Sequence, residues 1–214
     1  YTTLFRSKNL GAFLRLFVIC WRIKSVHSSG NHRLVYSLNV KQKIVVRSAL
    51  IGLVISAFSL CSASLIPVHE IVPGGRAVLV AKALLALGLC LAFCIGRMAT
   101  HRFLSPEDID GDPQRSDSPK GLELQKILQN TLEQAVLATF AYTTWSVLAP
   151  DNWLGVLLIA PALFVVGRIL FITRHSQGAV GRAIGFALTF YPTVLLLLVE
   201  LAMFFGSLQH RLSD

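Results

Sequence analysis

Between Ser48 and Pro67 the chain carries no charged side chain. That stretch of roughly 20 residues matches the hydrocarbon core of a bilayer, about 30 Å thick. Four further apolar segments follow: Arg76 to about Phe103, interrupted only by Lys82, then Gly121 to Ala149, Asn152 to Thr173, and Gly181 to Gly206. In lipid every backbone amide must be satisfied within its own segment, so these five spans are expected to be helices, with Pro161 and Pro192 as tolerated kinks. The alternation that marks a transmembrane barrel is absent. With 54% hydrophobic residues, 14% charged residues and a mean hydropathy of +0.62, the chain is predicted to be an all-α integral membrane protein with the lipid bilayer as its partner.

The net charge of +9 is unevenly placed: residues 1–47 hold nine of the 20 Lys and Arg and no acid, which leaves 11 basic and 11 acidic residues in the body of the chain. No basic face with interleaved aromatics lies outside that first stretch, so no nucleic-acid partner is expected. The opening Tyr1–Ser7 resembles a translated sequencing adapter, and no Met precedes Met98. Residues 1–44 are accordingly expected to be a doubtful or non-native segment, with an authentic start near Val40 or Val45. Its apolar patch from Phe13 to Ile23 is broken by Arg15 and Arg22 and is too short to span. Residues 45–75 are then an extra transmembrane helix with its outer turn, and residues 76–214 a four-helix domain.

Arg97, Arg102, Arg115, Lys120 and Lys126 flank the second inter-helix loop, and Arg168, Arg174 and Arg182 flank the fourth. Lys and Arg are retained on the cytoplasmic side, so these loops are expected to face inward, giving a cytoplasmic N-terminus and a periplasmic C-terminus. The opposite turns are nearly free of basic charge, and Trp145 and Trp153 bracket one of them as an aromatic belt would.

Counting inward from Ala149 at 1.5 Å per residue puts Glu133 at roughly 24 Å, Asn130 at roughly 28 Å and Lys126 at roughly 34 Å. Arg168, counted from Asn152, comes out at roughly 24 Å, level with Glu133, and Arg182 joins them at the mouth of the last helix. Spacings of four and three place Lys126, Asn130 and Glu133 on one helical stripe. Ionisable groups inside a bilayer are expensive and persist when paired or working. Lys82 and Glu200, each roughly 9 Å from the outer ends of their helices, are expected to form a structural ion pair within or between protomers.

Other patterns carry less. Cys20, Cys61, Cys90 and Cys94 lack Cys-x-x-Cys spacing and read as small hydrophobes rather than a disulfide framework or zinc site. Asp108-x-Asp110-x-Asp112 hints at a calcium loop, but Pro113 and Pro119 occupy the positions that need Gly and Glu, so a solvated acidic loop is expected. No metal site is expected.

The runs Leu128-Gln129-Asn130-Thr131-Leu132-Glu133-Gln134, Gly167-Arg168-Ile169-Leu170-Phe171 and Gly181-Arg182-Ala183-Ile184-Gly185-Phe186 resemble the MAPEG family, the membrane-associated proteins in eicosanoid and glutathione metabolism. The resemblance covers residues 76–206, and the Ser105–Gly111 loop is similar to a bacterial branch. It implies a four-helix bundle, here preceded by one extra N-terminal helix, in a homotrimer of the bacterial inner membrane that holds glutathione as co-substrate between protomers. It also implies a transferase or peroxidase acting on a lipophilic small-molecule substrate. By the same resemblance Asn130 and Glu133 bind the tripeptide, Glu133 its amino group, and Lys126 stands where arginine is usual, keeping the charge but losing the bidentate fork. Arg182 matches the arginine that faces the thiol, a catalytic role because a nearby cation favours the nucleophilic thiolate. Arg168 serves either Glu133 or a glutathione carboxylate. Phe171 and His175 stand where the family commonly has tyrosines, which removes a hydroxyl donor and supplies an imidazole. His175 either binds a carboxylate, acts as a base, or is simply solvated, as a lone interfacial histidine usually is. The alternative function is a non-enzymatic lipid-binding or scaffold protein of the same fold; a small transporter would call for internal repeats and a midplane acid.

Overall fold

The computed structural model describes residues 39–66, 75–110 and 118–213, with side chains as far as Ser207. The expectations for residues 1–38, and for Asp112 and Pro113, lie outside the described residues. Each apolar run folds as a helix: α1 Val40–Ser62, α2 Gly75–Leu104, α3 Pro119–Leu148, α4 Val156–Thr173 and α5 Gly178–Ser213. Short 3-10 turns follow α1 and precede α4 and α5, and no strand occurs among the described residues. The fold is the expected all-α bundle of four helices with an additional helix ahead of it.

Four of the helices, with their adjoining turns, are long and apolar enough to cross a membrane: Val40–Leu65, Gly75–Leu104, Asp151–Thr173 and His175–Ser207. The fifth expected span is not among them. At 30 residues α3 has the length, but Lys120, Glu123, Lys126, Gln129, Asn130, Glu133 and Gln134 crowd its first half. Two of these polar groups, Lys126 and Asn130, belong to the site described below. Helix α1 also begins earlier than the apolar count implies: Asn39 precedes it, and the Gln42 side chain accepts the Asn39 backbone N–H at 2.8 Å. That bond satisfies one of the orphan donors at a helix start, so the helix extends through Lys41, Lys43 and Arg47.

Helix α1 packs chiefly along α5, α2 against α3 and α4, and α4 against α5. The α1–α5 seam is tight because Gly52 has no side chain: a Cβ there would come within 2.4 Å of Ala187 Cβ. One turn on, Ser56 is fully buried and donates to Gly52 O at 2.6 Å, while Leu60 and Ala63 reach the main core. That core lies towards the α3–α4 turn, around Leu79, Tyr142, Trp145, Leu154, Leu157 and Phe164. Trp145 is therefore no belt residue. It is 4% exposed and donates Nε1–H to Trp153 O at 3.1 Å, satisfying the indole inside the protein rather than at a headgroup.

A second, smaller cluster of Cys94, Ile127 and Phe171 lies at the other end of the bundle. There the α2–α3 connection is clamped by Asp108. It is no solvated acid: its residue is 2% exposed, and its carboxylate accepts from Ser118 N, from Ser118 Oγ and from His101 Nε2 at 2.8 Å. Ser118 in turn accepts from Gly121 N at 3.0 Å as the cap of α3, with Pro119 at the first helical position. The same His101 nitrogen faces both Asp108 and Ser118, so the three side chains form a clamp and not a proton relay.

The expected Lys82–Glu200 pair is absent within the chain. Lys82 faces outward, whereas Glu200 is 4% exposed and its Oε1 has no hydrogen-bond partner among the described residues. Counting residues fixed their depth but not their direction around the helix.

Two outcomes follow. Gly52→Val should lower thermal stability in detergent by about 1–3 kcal/mol through overpacking against Ala187, whereas Gly96→Ala, whose Cβ meets nothing within 4 Å in a helix interior, should raise it by about 0.5–1 kcal/mol. The Ser118 hydroxyl and backbone N–H, with His101, hold the Asp108 carboxyl below its ordinary value of 3.8. A depressed carboxyl stabilises the fold above its unfolded value and ceases to do so as pH falls through the folded one. Melting curves should therefore show wild type losing stability on acidification below pH 3.8, with Asp108→Asn already lower at neutral pH and less sensitive to acid.

Candidate functional site

The site begins where two helix backbones touch. A Cβ built on Gly185 of α5 would lie 2.4 Å from Phe171 N, and one on Gly167 of α4 would lie 2.8 Å from Gly185 O. Paired small residues permit this approach, and the approach carries Arg168 of α4 against Thr189 of α5. Arg168 donates from Nη1 to Asn130 Oδ1 at 2.8 Å and from Nη2 to Thr189 Oγ1 at 2.7 Å. Thr189 passes its own hydroxyl hydrogen to Phe186 O at 2.9 Å. Phe164, Arg168 and Phe171 follow one another at four and three residues along α4, and the guanidinium carbon lies 5.7 and 4.5 Å from the two ring centres. Arg168 thus sits at the junction of the large and small apolar clusters, 1% exposed.

A buried cation without an anionic partner is costly. Two neutral acceptors and two aromatic faces offset part of that cost, each face by about 0.5–2 kcal/mol. The carboxylate that sequence spacing offered, Glu133, does not take part. It is exposed and accepts from Gln129 Nε2 at 2.9 Å. The reason is angular. Successive residues turn about 100° around a helix, and buried Ile127, Thr131, Gln134 and Ala138 define the inward side of α3. Asn130 lies nearest that side, Lys126 further round and Glu133 furthest, so one stripe divides between the bundle and its outer surface.

Beside Arg168 opens a pocket of about 520 Å³. Lys126 and Asn130 of α3, Phe171 of α4, His175 of the following turn and Arg182 of α5 line it, so five positions singled out in the sequence meet around one space. Glu133 is not among its lining residues, and Arg168 reaches it through Asn130. Among the described residues that line it, none is acidic. Val45 and Ala49 of α1 form a further wall, and Phe186, Ala187 and Tyr191 carry the pocket deeper along α5.

His175 is not a solvated side chain. It is 7% exposed, with its ring edge-on to Phe171 at 5.2 Å, and Gly178 ends its 3-10 turn with φ +77°, where a side chain would be strained. Arg182 Nη1 lies 3.4 Å from His175 Nε2. Guanidinium only donates, so Nε2 accepts and the ring proton sits on Nδ1. That Nδ1 is buried and has no partner among the described residues. Phe171 has no hydroxyl to offer but gives Arg168 its closer aromatic face.

Thr189, Phe164, Tyr191 and the α1 wall were not singled out by sequence. A hydroxyl one turn beyond Gly185 is the signal that could have pointed to Thr189; the α1 wall had none, because it depends on contact with a distant helix. Cys90 and Cys94 behave as packing residues: Cys94 Sγ lies 3.6 Å from Thr131 Oγ1, and Cys90 borders a separate apolar groove between α2 and α4, whereas Cys61 is exposed. Thr189→Val should leave Arg168 Nη2–H without its acceptor and lower stability by about 1–3 kcal/mol, with Thr189→Ser retaining most of it; thermal unfolding of the purified variants measures the difference.

Neither the curated proteins nor the solved structures contain a match to the chain. A family model described as the MAPEG family matches residues 77–202, from the first turns of α2 to beyond Glu200 on α5. Spanning more than half of the sequence and all four helices that frame Arg168, that match shows the chain to be a membrane protein of the MAPEG family.

Proposed function

We propose that the pocket binds glutathione and that the protein is a glutathione transferase or peroxidase for lipophilic substrates. The observation that carries this reading is the convergence of Lys126, Asn130, His175 and Arg182 around one space with no acid in its lining. Lys126 suits a carboxylate of the tripeptide, and Asn130, held by Arg168, suits its amides. Arg182 favours the thiolate, because a neighbouring cation stabilises the charged form of the thiol. In transfer, the thiolate sulfur forms a bond to an electrophilic carbon, and the displaced oxygen or leaving group takes the electron pair. The electrophile arrives from the bilayer. Glu133, on the outer surface of its own chain, meets the glutathione amino group across a homotrimer.

The same reading sets the protein in a bacterial inner membrane with its N-terminus cytoplasmic and its C-terminus periplasmic, following the basic residues at the α2–α3 and α4–α5 turns. Residues 45–75 and 76–214 act as an added helix and a family domain. Glu133 outside the pocket, together with Phe171 in place of a hydroxyl donor, favours a second reading, a non-enzymatic lipid-binding or scaffold protein.

Glutathione titration in detergent, followed by thiolate absorbance, separates the two. Wild type should bind and show thiolate; Arg182→Ala should still bind but lose about tenfold or more of the thiolate signal at neutral pH, one pKa unit being tenfold. Glu133→Gln should weaken binding only in the assembled oligomer. An unchanged thiolate signal in Arg182→Ala contradicts the role given to that residue, and no binding by wild type selects the second reading.

A further inference from the structure

Helix α1 lies outside the residues matched by the family, yet it is sealed to α5 at Gly52 and Ala187 and forms part of the pocket wall. From Arg182 to Tyr191 the α5 side of the pocket runs nine residues, roughly 14 Å, and its chemistry changes along the way. At one end stand Lys126, His175 and Arg182; further in come Ala183, Phe186, Ala187 and Tyr191, faced by Val45 and Ala49 of α1. Cations stand at the mouth, an apolar slot lies behind them, and no carboxylate lines either part. A zwitterionic tripeptide has no use for the slot.

We infer that this pocket takes the phosphate headgroup of an anionic membrane lipid, with an acyl chain lying in the slot between α1 and α5. The inference rests on the reading of this pocket as the ligand site. Basic pockets between membrane helices suit lipid phosphates, and a guanidinium with an ammonium can hold a phosphate from two sides. Ala49 determines the width of the slot: its methyl leaves room for the chain, and a larger side chain fills it. Lipid phosphate and glutathione draw on the same Lys126 and Arg182, so each displaces the other.

The test is a calorimetric titration of the full chain in a neutral detergent with dioctanoyl phosphatidate, dioctanoyl phosphatidylcholine and inorganic phosphate, with glutathione titrated in parallel. Phosphatidate should bind at least about tenfold more tightly than either comparator, because only it supplies both an exposed anion and a chain. Ala49→Phe should abolish that advantage while leaving inorganic phosphate binding in place; Ala49→Leu, a smaller insertion, should reduce it where Ala49→Phe fails to fold. Arg182→Ala should weaken phosphatidate and inorganic phosphate alike. Equal binding of phosphatidate and inorganic phosphate would mean a free anion site and overturn the inference, as would a phosphatidate affinity untouched by filling the slot at Ala49. Glutathione binding without phosphatidate binding refutes the lipid site alone; the reverse refutes the glutathione reading alone.

Discussion

Everything at the polar end of this bundle depends on how one guanidinium is housed. Arg168 is buried between two phenylalanine rings, tied to an amide on α3 and a hydroxyl on α5, and so joins three helices at a single point. Its place exists only because Gly167 and Gly185 let α4 and α5 come into backbone contact. Side chains at either glycine would separate the helices, remove Thr189 from reach and leave the cation with half of its hydrogen bonds. The site is therefore built backwards from packing: glycine contact first, arginine second, pocket third.

That arrangement explains why the polar half of α3 is tolerated. Amphipathic helices normally bury their apolar side and expose the rest, but here the inward side carries Thr131 and Gln134, and half-buried Asn130 meets Arg168. Thr131 satisfies itself on Ile127 O and meets Cys94, and Asn130 is satisfied by the guanidinium. Of the polar groups that make α3 the least apolar of the five helices, Asn130 and Thr131 are matched within the bundle, whereas Gln134 Oε1 is buried without a partner among the described residues.

The number of helices was readable from the sequence because lipid admits few alternatives for a chain this apolar, although α1 and α5 extend beyond their apolar runs. The meeting of Lys126, Asn130, His175 and Arg182 was readable too, since depth follows from a simple rise per residue and all four come out near one level. Azimuth was not. Glu133 shares a stripe with Lys126 and a level with Arg168, yet turns away from both the pocket and the arginine, and Lys82 and Glu200 match in depth while facing opposite ways. Which side of a helix is inward is decided by its neighbours. Asp108 shows the same limit in a loop: its neighbours in sequence suggest a solvated acid, and its burial comes from Ser118 and His101 across the turn.

The seam between α1 and α5 has a consequence for how such a protein can diverge. One wall of the ligand space is contributed by a stretch of chain separate from the helices that carry the charged groups, and it is attached through contacts as small as a glycine and an alanine. Changes confined to that stretch can reshape what the cavity admits while the arginines, lysine and asparagine keep their positions. The shape of the cavity and its charge are thus set by separate parts of the chain.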